Sequence, residues 1–187
     1  MNLPWGDPSS NKFVTNVGLI TSNGPYGHNI MAAEWTHHIS YEPGLIAVNI
    51  HAYDATAENI EKTKEFGVNL AAFGQNIVSS ISGGNTGKEV DKIKVLKDLG
   101  VEFYEAKKIN VLMVKGAAMN AECKLLKSIS LGDHTMFVGE VLDASASDKQ
   151  PVVFHDGKYW KFGERIQKPD QSMLDKIGKL VDKYRKK

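Results

Sequence analysis

The chain has 187 residues, enough to bury a core without disulfide bonds or metal ions, so we expect one domain over residues 1–187. Its 23 basic and 22 acidic residues give a formal charge of +1, which argues against nucleic acid as a partner. The single cysteine excludes an internal disulfide framework, and no apolar run approaches the roughly 20 residues that span a bilayer. The opening MNLPWGDPSS lacks the basic and then apolar order of a signal peptide, so we expect a cytoplasmic protein without a membrane role.

The first fifty residues predict three strands. Residues 13–22 and 45–50 are short runs rich in β-branched residues and bounded by Gly and Pro, and residues 28–35 form a third run between them. The segment SNGPYG at 22–27 has the composition of a hairpin loop. The first two strands should therefore pair antiparallel.

The middle of the chain predicts helices around a flexible loop. Asp54 or Thr56 can cap a helix, and Gly100 can end one. The predicted elements are a helix at 56–65, a strand at 66–71, and helices at 75–82 and 90–99. The last two helices flank the glycine-rich loop SGGNTGKEVDK, which we expect to be flexible.

The last third of the chain predicts two antiparallel hairpins and a helix. Apolar and polar residues alternate along 117–143, with a turn at GDH, residues 132–134. A second hairpin, PVVFHDGKYWKF, has Asp156-Gly157 at its tip, and an amphipathic helix begins near Asp170.

This order of elements predicts an α+β fold, mainly antiparallel, whose sheet closes into a β-barrel with peripheral helices. A doubly wound parallel sheet is not expected, so a glycine-rich turn at a parallel strand end is not available for cofactor binding. The chain has no GxGxxG fingerprint, and GGNTGK lacks the spacing and the Ser/Thr ending of a P-loop.

Metal and nucleophile chemistry find little support in the residue spacing. The adjacent His37 and His38 point to opposite faces of a strand, and the other histidines show no recurring ligand spacing, so we expect no metal site. Cys123 lies on the apolar side of an alternating strand, and no GxSxG motif occurs, which favours a buried structural thiol.

Three asparagines in strand-like apolar runs are the more informative signal. Asn29, Asn49 and Asn69 lie in HNIM, AVNIH and GVNL, where Asn is disfavoured and is costly to bury without a hydrogen-bond partner. A neighbouring backbone group can satisfy any one of them. Three within about forty residues, accompanied by Trp35, His51 and Thr56, favour a shared polar ligand.

Five segments in order carry a resemblance to a known family: NIMAAEW, EPGLIAVNI, TAENIEKTKEFGVNL, TGKEVDK and GDHTMFVGEV. Over residues 13–165 the chain resembles the flavin reductase-like family, whose flavoredoxin-type members bind FMN on a split β-barrel. The resemblance implies a split-barrel homodimer with FMN at the subunit interface.

The resemblance also assigns candidate residues to the flavin. Residues 29–35 would supply the platform and edge contacts of the ring. The helix start and the glycine-rich loop would bind the phosphate. The implied cofactor-binding residues are Asn29, Met31, Ala32, Ala33, Trp35, Asn49, His51, Thr56, Asn69 and Lys88. His134 of GDH would be catalytic, near flavin and nicotinamide, although a turn histidine bonded to a backbone carbonyl is the alternative. One departure is Asp54, since family members often carry a cation just before the threonine that opens the first helix.

By the resemblance, the chain is an FMN-dependent oxidoreductase, an NAD(P)H:flavin reductase that passes hydride from NADH or NADPH to FMN and on to a small-molecule flavin or a redox protein. The cofactor supplies the chemistry, so no protein nucleophile is needed. Two alternatives stay open: an FMN-binding electron-transfer protein that never meets nicotinamide, and a flavin-storing protein without turnover.

Overall fold

The computed structural model describes residues 2–186, which contain one large curled sheet, two small sheets and four α-helices. The strands are β1 (Val14–Asn16), β2 (Gly18–Ser22), β3 (Asn29–Ala33), β4 (Thr36–Tyr41), β5 (Gly44–His51), β6 (Glu65–Leu70), β7 (Phe103–Glu105), β8 (Leu112–Val114), β9 (Met119–Leu131), β10 (His134–Ala146), β11 (Val153–His155) and β12 (Lys158–Trp160). The helices are α1 (Ala55–Thr63), α2 (Asn76–Gly84), α3 (Lys92–Asp98) and α4 (Gln171–Lys183), with a short 3₁₀ helix at Ser10–Lys12.

The large sheet has seven strands in the order β3-β2-β6-β9-β10-β5-β4, and every pair in it is antiparallel. The small sheets are β1-β11-β12 and β7-β8. The α+β, mainly antiparallel class predicted from the sequence is therefore confirmed.

The two edges of the large sheet are neighbours along the chain. Only Glu34 and Trp35 separate β3 from β4, so the sheet must curl until the end of one edge strand meets the start of the other. The Thr36 hydroxyl donates to the Ala33 carbonyl oxygen (3.0 Å), which holds this turn. Within residues 2–186 no strand ladder joins β3 to β4, so the sheet is an incomplete barrel with a seam between these edges.

Two apolar cores lie on opposite faces of the curled sheet. One fills the inside of the curl and contains Ile20, Val48, Phe66 and Phe137. The other lies between the outer face and helices α2 and α3, and contains Leu19, Ile30, Val78, Ile93 and Leu96. Because β2 is buried on both faces, its sequence is a continuous run with little alternation.

Several predicted elements are confirmed within one or two residues, and one hairpin turn and one helix start have the predicted chemistry. Asp156 and Gly157 both have positive φ (50° and 67°), as a type I′ turn requires. The side chain of Asp170 accepts a hydrogen bond from the Met173 amide (2.9 Å), so α4 begins where it was predicted.

One predicted strand was wrong in its extent. Residues 13–22 form two strands, because the chain leaves β1 at Val17 and only β2 joins the large sheet. The Asn16 side chain donates to the Thr36 carbonyl oxygen (2.6 Å) at this break, across the seam. Strands β4, β7 and β8 were not predicted. No helix among the described residues is long and apolar enough to cross a membrane.

Candidate functional site

A small cavity of about 80 Å³ lies where α1 begins, between β3 and the loop that joins α2 to α3. It brings together four of the predicted residues, Asn29, Met31, Ala32 and Thr56. The remaining lining residues are Asp54, Ala55, Ser82, Gly83, Asn85, Thr86, Gly87 and Lys92. Its volume is well below the roughly 300 Å³ of a drug-sized pocket, so it suits a small polar group.

Two buried hydroxyl groups in this cavity have hydrogens to donate. The Asn29 amide donates to Thr56 Oγ1 (2.8 Å), which leaves the Thr56 hydroxyl hydrogen free. Ser82 is 1% exposed, and its Oγ has no hydrogen-bond partner. A buried polar atom without a partner is costly, so an acceptor in the cavity would stabilise this arrangement.

Lys92 supplies a buried cation to the same cavity. Its side chain is 3% exposed, and Nζ donates to the carbonyl oxygens of Ser82 (3.1 Å) and Asn85 (3.0 Å), leaving a third N–H. Burial lowers the pKa of Lys92 to about 8, and the charge of Asp54 partly opposes that effect. Asp54, the residue that departs from the family pattern, is thus close enough to the Lys92 ammonium for the two charges to interact.

The start of α1 adds backbone donors. The first i→i−4 bond of the helix runs from the Glu58 amide to the Asp54 carbonyl oxygen (3.1 Å), so the N–H groups of Ala55, Thr56 and Ala57 precede the helical ladder. Together with two hydroxyl groups and one ammonium, they form a donor set suited to an anion such as a phosphate.

Lys88, the cation predicted for this role, is placed differently. It forms an ion pair with Glu58, which also accepts from the Tyr26 hydroxyl (3.0 Å). Lys88 Nζ lies 5.4 Å from the centre of the Tyr26 ring, and the residue is exposed and does not line the small cavity. These contacts lower the pKa of Glu58 and raise that of Lys88.

A second group of predicted residues meets beside the seam. The ring centroid of His134 lies 4.7 Å from that of Trp35 and 3.9 Å from that of His51. The backbone N–H of Asn49 donates to the Trp35 carbonyl oxygen (3.0 Å), which fixes the position of Trp35 beside β5. The fold thus joins Trp35, Asn49, His51 and His134 into one aromatic and polar surface, the seam cluster.

Asp133 extends the seam cluster, and it was not predicted. Its carboxylate accepts from His134 Nδ1 (2.7 Å), which lowers the pKa of Asp133, and its backbone carbonyl accepts from His51 Nδ1 (3.0 Å). The expectation of no metal site rested on spacing along the chain. The fold nevertheless places one potential ligand atom from each of these three residues within 4.8 Å of the others.

Besides Lys88, two predicted residues lie apart from both groups. Ala33 is buried in the inner core. Asn69 is fully buried, and its side-chain oxygen accepts from the Val114 amide (2.8 Å) and from Asn120 (2.6 Å), while its nitrogen donates to the Leu19 carbonyl oxygen (2.8 Å). The protein itself therefore satisfies Asn69, which ties together neighbouring parts of the sheet.

A larger cavity of about 340 Å³ shares Ala32 and Gly83 with the small one. Aromatic side chains from distant parts of the chain line it, including Trp5, Phe154 and Tyr159. It also contains Glu34, a half-buried carboxyl group whose pKa is raised by burial.

The prediction for Cys123 is confirmed, since the residue is fully buried and burial raises the pKa of its thiol to about 12. The thiol is therefore protonated at neutral pH and is a poor nucleophile. Lys92 was missed, although a helical period gives a signal for it. Lys92 lies four residues before Leu96 and beside Ile93, and all three are buried on α3.

Comparisons with known proteins agree with this geometry. Residues 10–163 match the family model of the flavin reductase like domain. A Pyrococcus abyssi protein is 32% identical over 61% of this chain, and the match spans 63% of that protein. An NADH-dependent flavin reductase from Rhodococcus is 28% identical over 79% of this chain and 80% of its own length.

A solved structure supports the same assignment. The flavin reductase PheA2 superposes with a TM-score of 0.73 at 28% identity, covering 88% of this chain and all of that one. Because the family model matches most of the chain, this protein belongs to the flavin reductase-like family of oxidoreductases.

Proposed function

We propose that the chain is an FMN-dependent NAD(P)H:flavin reductase, a homodimer that passes electrons to a free flavin or to a redox protein. The observation that carries the proposal is the donor set of the small cavity. Buried hydroxyl groups of Thr56 and Ser82 and the ammonium of Lys92 converge there with the free amides of α1. This set fits the terminal phosphate of FMN. When bound, FMN would supply the ring that accepts hydride.

The ring site that we propose follows β3 from the small cavity to the seam. As an edge strand, β3 keeps backbone N–H and C=O groups on its outer side that are free to bond the polar edge of the ring. Trp35 is 43% exposed and, with the His134 ring tilted by 43° to it, offers an aromatic surface at the far end of the strand. A flavin whose phosphate lies in the small cavity would therefore extend along β3 and place its ring near Trp35 and His134.

His134 has one nitrogen held and one free. Because the Asp133 carboxylate can only accept, His134 Nδ1 carries the hydrogen of that bond, and in the neutral ring Nε2 is an acceptor. We propose that His134 uses Nε2 to orient the nicotinamide donor. The ring of His51 lies 3.9 Å from that of His134 between centroids and limits its rotation.

The decisive experiment is anaerobic mixing of the FMN-loaded protein with NADH or with NADPH, followed by the flavin absorbance. Bleaching by either donor is expected. A protein that binds FMN and is bleached by neither donor would instead be an electron carrier, and a protein that takes up no FMN at micromolar concentration would overturn the proposal.

Ser82→Ala tests the phosphate site separately from turnover. The change removes a buried hydroxyl that has no partner in the protein, so it should leave the stability of the flavin-free protein unchanged or raise it by up to about 1 kcal/mol. FMN should bind more weakly by about 1 kcal/mol, or somewhat more if the hydroxyl bonds a charged oxygen, while riboflavin binding stays the same. Equal losses for both flavins would place Ser82 at the ring instead.

A further inference from the structure

Two histidines from neighbouring strands meet beside the turn of the β9-β10 hairpin. His51 ends β5 and His134 begins β10, and the two are direct partners in the antiparallel register. Their rings lie 3.9 Å apart between centroids and are tilted by 32°. The turn residue before His134 is Asp133, whose side chain is 81% exposed.

The three residues already point their polar atoms at one another. His51 Nδ1 lies 3.0 Å from the Asp133 carbonyl oxygen, and His134 Nδ1 lies 2.7 Å from Asp133 Oδ1. Both oxygens can only accept, so in each bond a hydrogen occupies the place between nitrogen and oxygen. Removing those hydrogens would leave two imidazole lone pairs and a carboxylate facing the same region.

This donor geometry is close to that of a metal site. One ligand atom from each residue lies within 4.8 Å of the other two, and a tetrahedral ion with bonds of about 2.0–2.2 Å holds its ligands roughly 3.4 Å apart. Imidazole and carboxylate together suit ions such as Zn²⁺ and Ni²⁺. His51 and Asp133 are exposed, so an ion can enter from solvent.

We propose that His51, Asp133 and His134 bind one divalent transition-metal ion of the Zn²⁺ or Ni²⁺ type, with the remaining coordination positions open to solvent. This site is distinct from the flavin phosphate site, but it uses the proposed nicotinamide-orienting residue. Bound metal would take His134 Nδ1 as a ligand and fix the ring through it. With the metal on Nδ1, the hydrogen of the neutral ring lies on Nε2, which can then no longer accept a hydrogen bond from the nicotinamide, so the two functions would compete at the seam cluster.

Calorimetric titration of the flavin-free protein with Zn²⁺ tests the site without turnover or flavin binding. One ion per chain is expected. His51→Ala and His134→Ala should each weaken binding about tenfold or more, since even residues outside the first coordination sphere are worth about 10–100-fold. His37→Ala and His38→Ala are matched controls, since both residues are exposed on β4 and lie outside the cluster, and should leave the affinity unchanged.

A second readout uses Trp35, whose ring lies 4.7 Å from that of His134. Ni²⁺ should quench its fluorescence, and Trp35→Phe should remove the quenching while Zn²⁺ still binds. His51→Gln keeps a polar side chain at the position and should lose both signals. Absence of saturable Zn²⁺ binding, or equal affinity in the wild type and His51→Gln, would overturn the metal site and leave the flavin proposal unaffected.

Discussion

At the scale of single residues, two lysines are candidates for the cation that pairs with the FMN phosphate. Lys88 is exposed and already neutralised by Glu58, whereas Lys92 is buried with an N–H to spare. Lys92→Met should weaken FMN by about 1.5–3 kcal/mol, the usual value of a hydrogen bond to a charged group. Lys88→Met should cost less than about 1 kcal/mol, as exposed ion pairs do.

Riboflavin, which has no phosphate, is the control for both lysine variants. Fluorescence titration should show the same riboflavin affinity for the wild type and for Lys92→Met. A larger FMN loss in Lys88→Met than in Lys92→Met would restore the assignment made from the sequence and require the loop to move on binding.

The lowered pKa of Lys92 predicts a pH dependence for FMN. Below its pKa of about 8, Lys92 is charged in the flavin-free protein, and FMN binds without taking up a proton. Above pH 8 the amine is mostly neutral, and a phosphate that pairs with the ammonium must draw a proton from solvent. The affinity for FMN relative to riboflavin should then fall by up to about tenfold per pH unit.

The pH titration has an internal control in the phosphate itself. A phosphate monoester has its second pKa near 6, so its charge stays constant above about pH 7. Fluorescence titrations from neutral pH upward should show the fall in the wild type and a flat ratio in Lys92→Met. A ratio that declines equally in both proteins would assign the titrating group elsewhere.

The two lysines also show what could be predicted about the site from sequence. Asn29 and Thr56, which the fold brings into one cavity, could be singled out from the sequence because a buried Asn in a strand and a Thr at a helix start each carry a local chemical signal. Lys88 and Lys92 lie in the same motif, TGKEVDK, and only the fold decides which one faces inward. The pairing of Lys88 with Glu58 is a contact between distant segments that spacing cannot predict.

At the scale of elements, local patterns predicted most helices and the long hairpins, and failed where burial does not alternate. Strand β4 was missed because four of its six residues are exposed, so no alternation marks it. Residues 13–22 were read as one strand because both halves are β-branched, while the break at Val17 depends on which sheet each half joins. Asn69, which suggested a ligand, is satisfied by neighbouring parts of the sheet.

The packing of β10 against its neighbours leaves no room for a side chain at Gly139. A Cβ at this position would overlap the Phe66 ring and lie 2.8 Å from Cys123 Cβ, next to a register shift between β9 and β10. Phe66 and Cys123 are both fully buried, so neither can move aside easily. Gly139→Ala should therefore lower the free energy of unfolding by about 1–3 kcal/mol.

Gly44→Ala is the matched control for the Gly139 variant, because the nearest atom to an added Cβ there is Val141 Cβ at 3.7 Å, an ordinary contact. Urea denaturation should show a lower midpoint for Gly139→Ala with the same slope, and little change for Gly44→Ala. Equal midpoints for the two variants would mean that β10 adjusts around the extra methyl group.

At the scale of the whole molecule, the curl of the large sheet brings the candidate site together. Asn29 and Trp35 lie near opposite ends of β3, and His134 begins a strand about a hundred residues later. The small cavity and the seam cluster are joined along β3, because β3 and β4 are the edges of one sheet and only two residues separate them. The ligand site that we propose is thus a property of the seam, which no single segment encodes.

Helix α4 lies beyond the part of the chain that matches the family model, which ends at residue 163. None of its residues is buried, and the connecting residues 161–170 are exposed as well. Its apolar residues repeat at helical spacing and are between 41% and 70% exposed: Met173, Leu174, Ile177, Leu180, Val181 and Tyr184. A stripe of this size is expected to be covered by another surface.

We predict that a second copy of the chain covers this stripe, so the protein sediments at twice 20.6 kDa. Ile177→Glu combined with Leu180→Glu places two charges in the apolar contact and should shift the protein toward the monomer, because buried unpaired charges are strongly unfavourable. Lys179→Glu changes charge on the same helix outside the stripe and should leave the dimer intact.

Sedimentation measured with FMN bound separates the possible interfaces, since a double variant that remains dimeric would place the contact elsewhere. A wild-type monomer that keeps its flavin would contradict the dimer itself, whereas loss of flavin on dissociation would show that the partner subunit completes the seam.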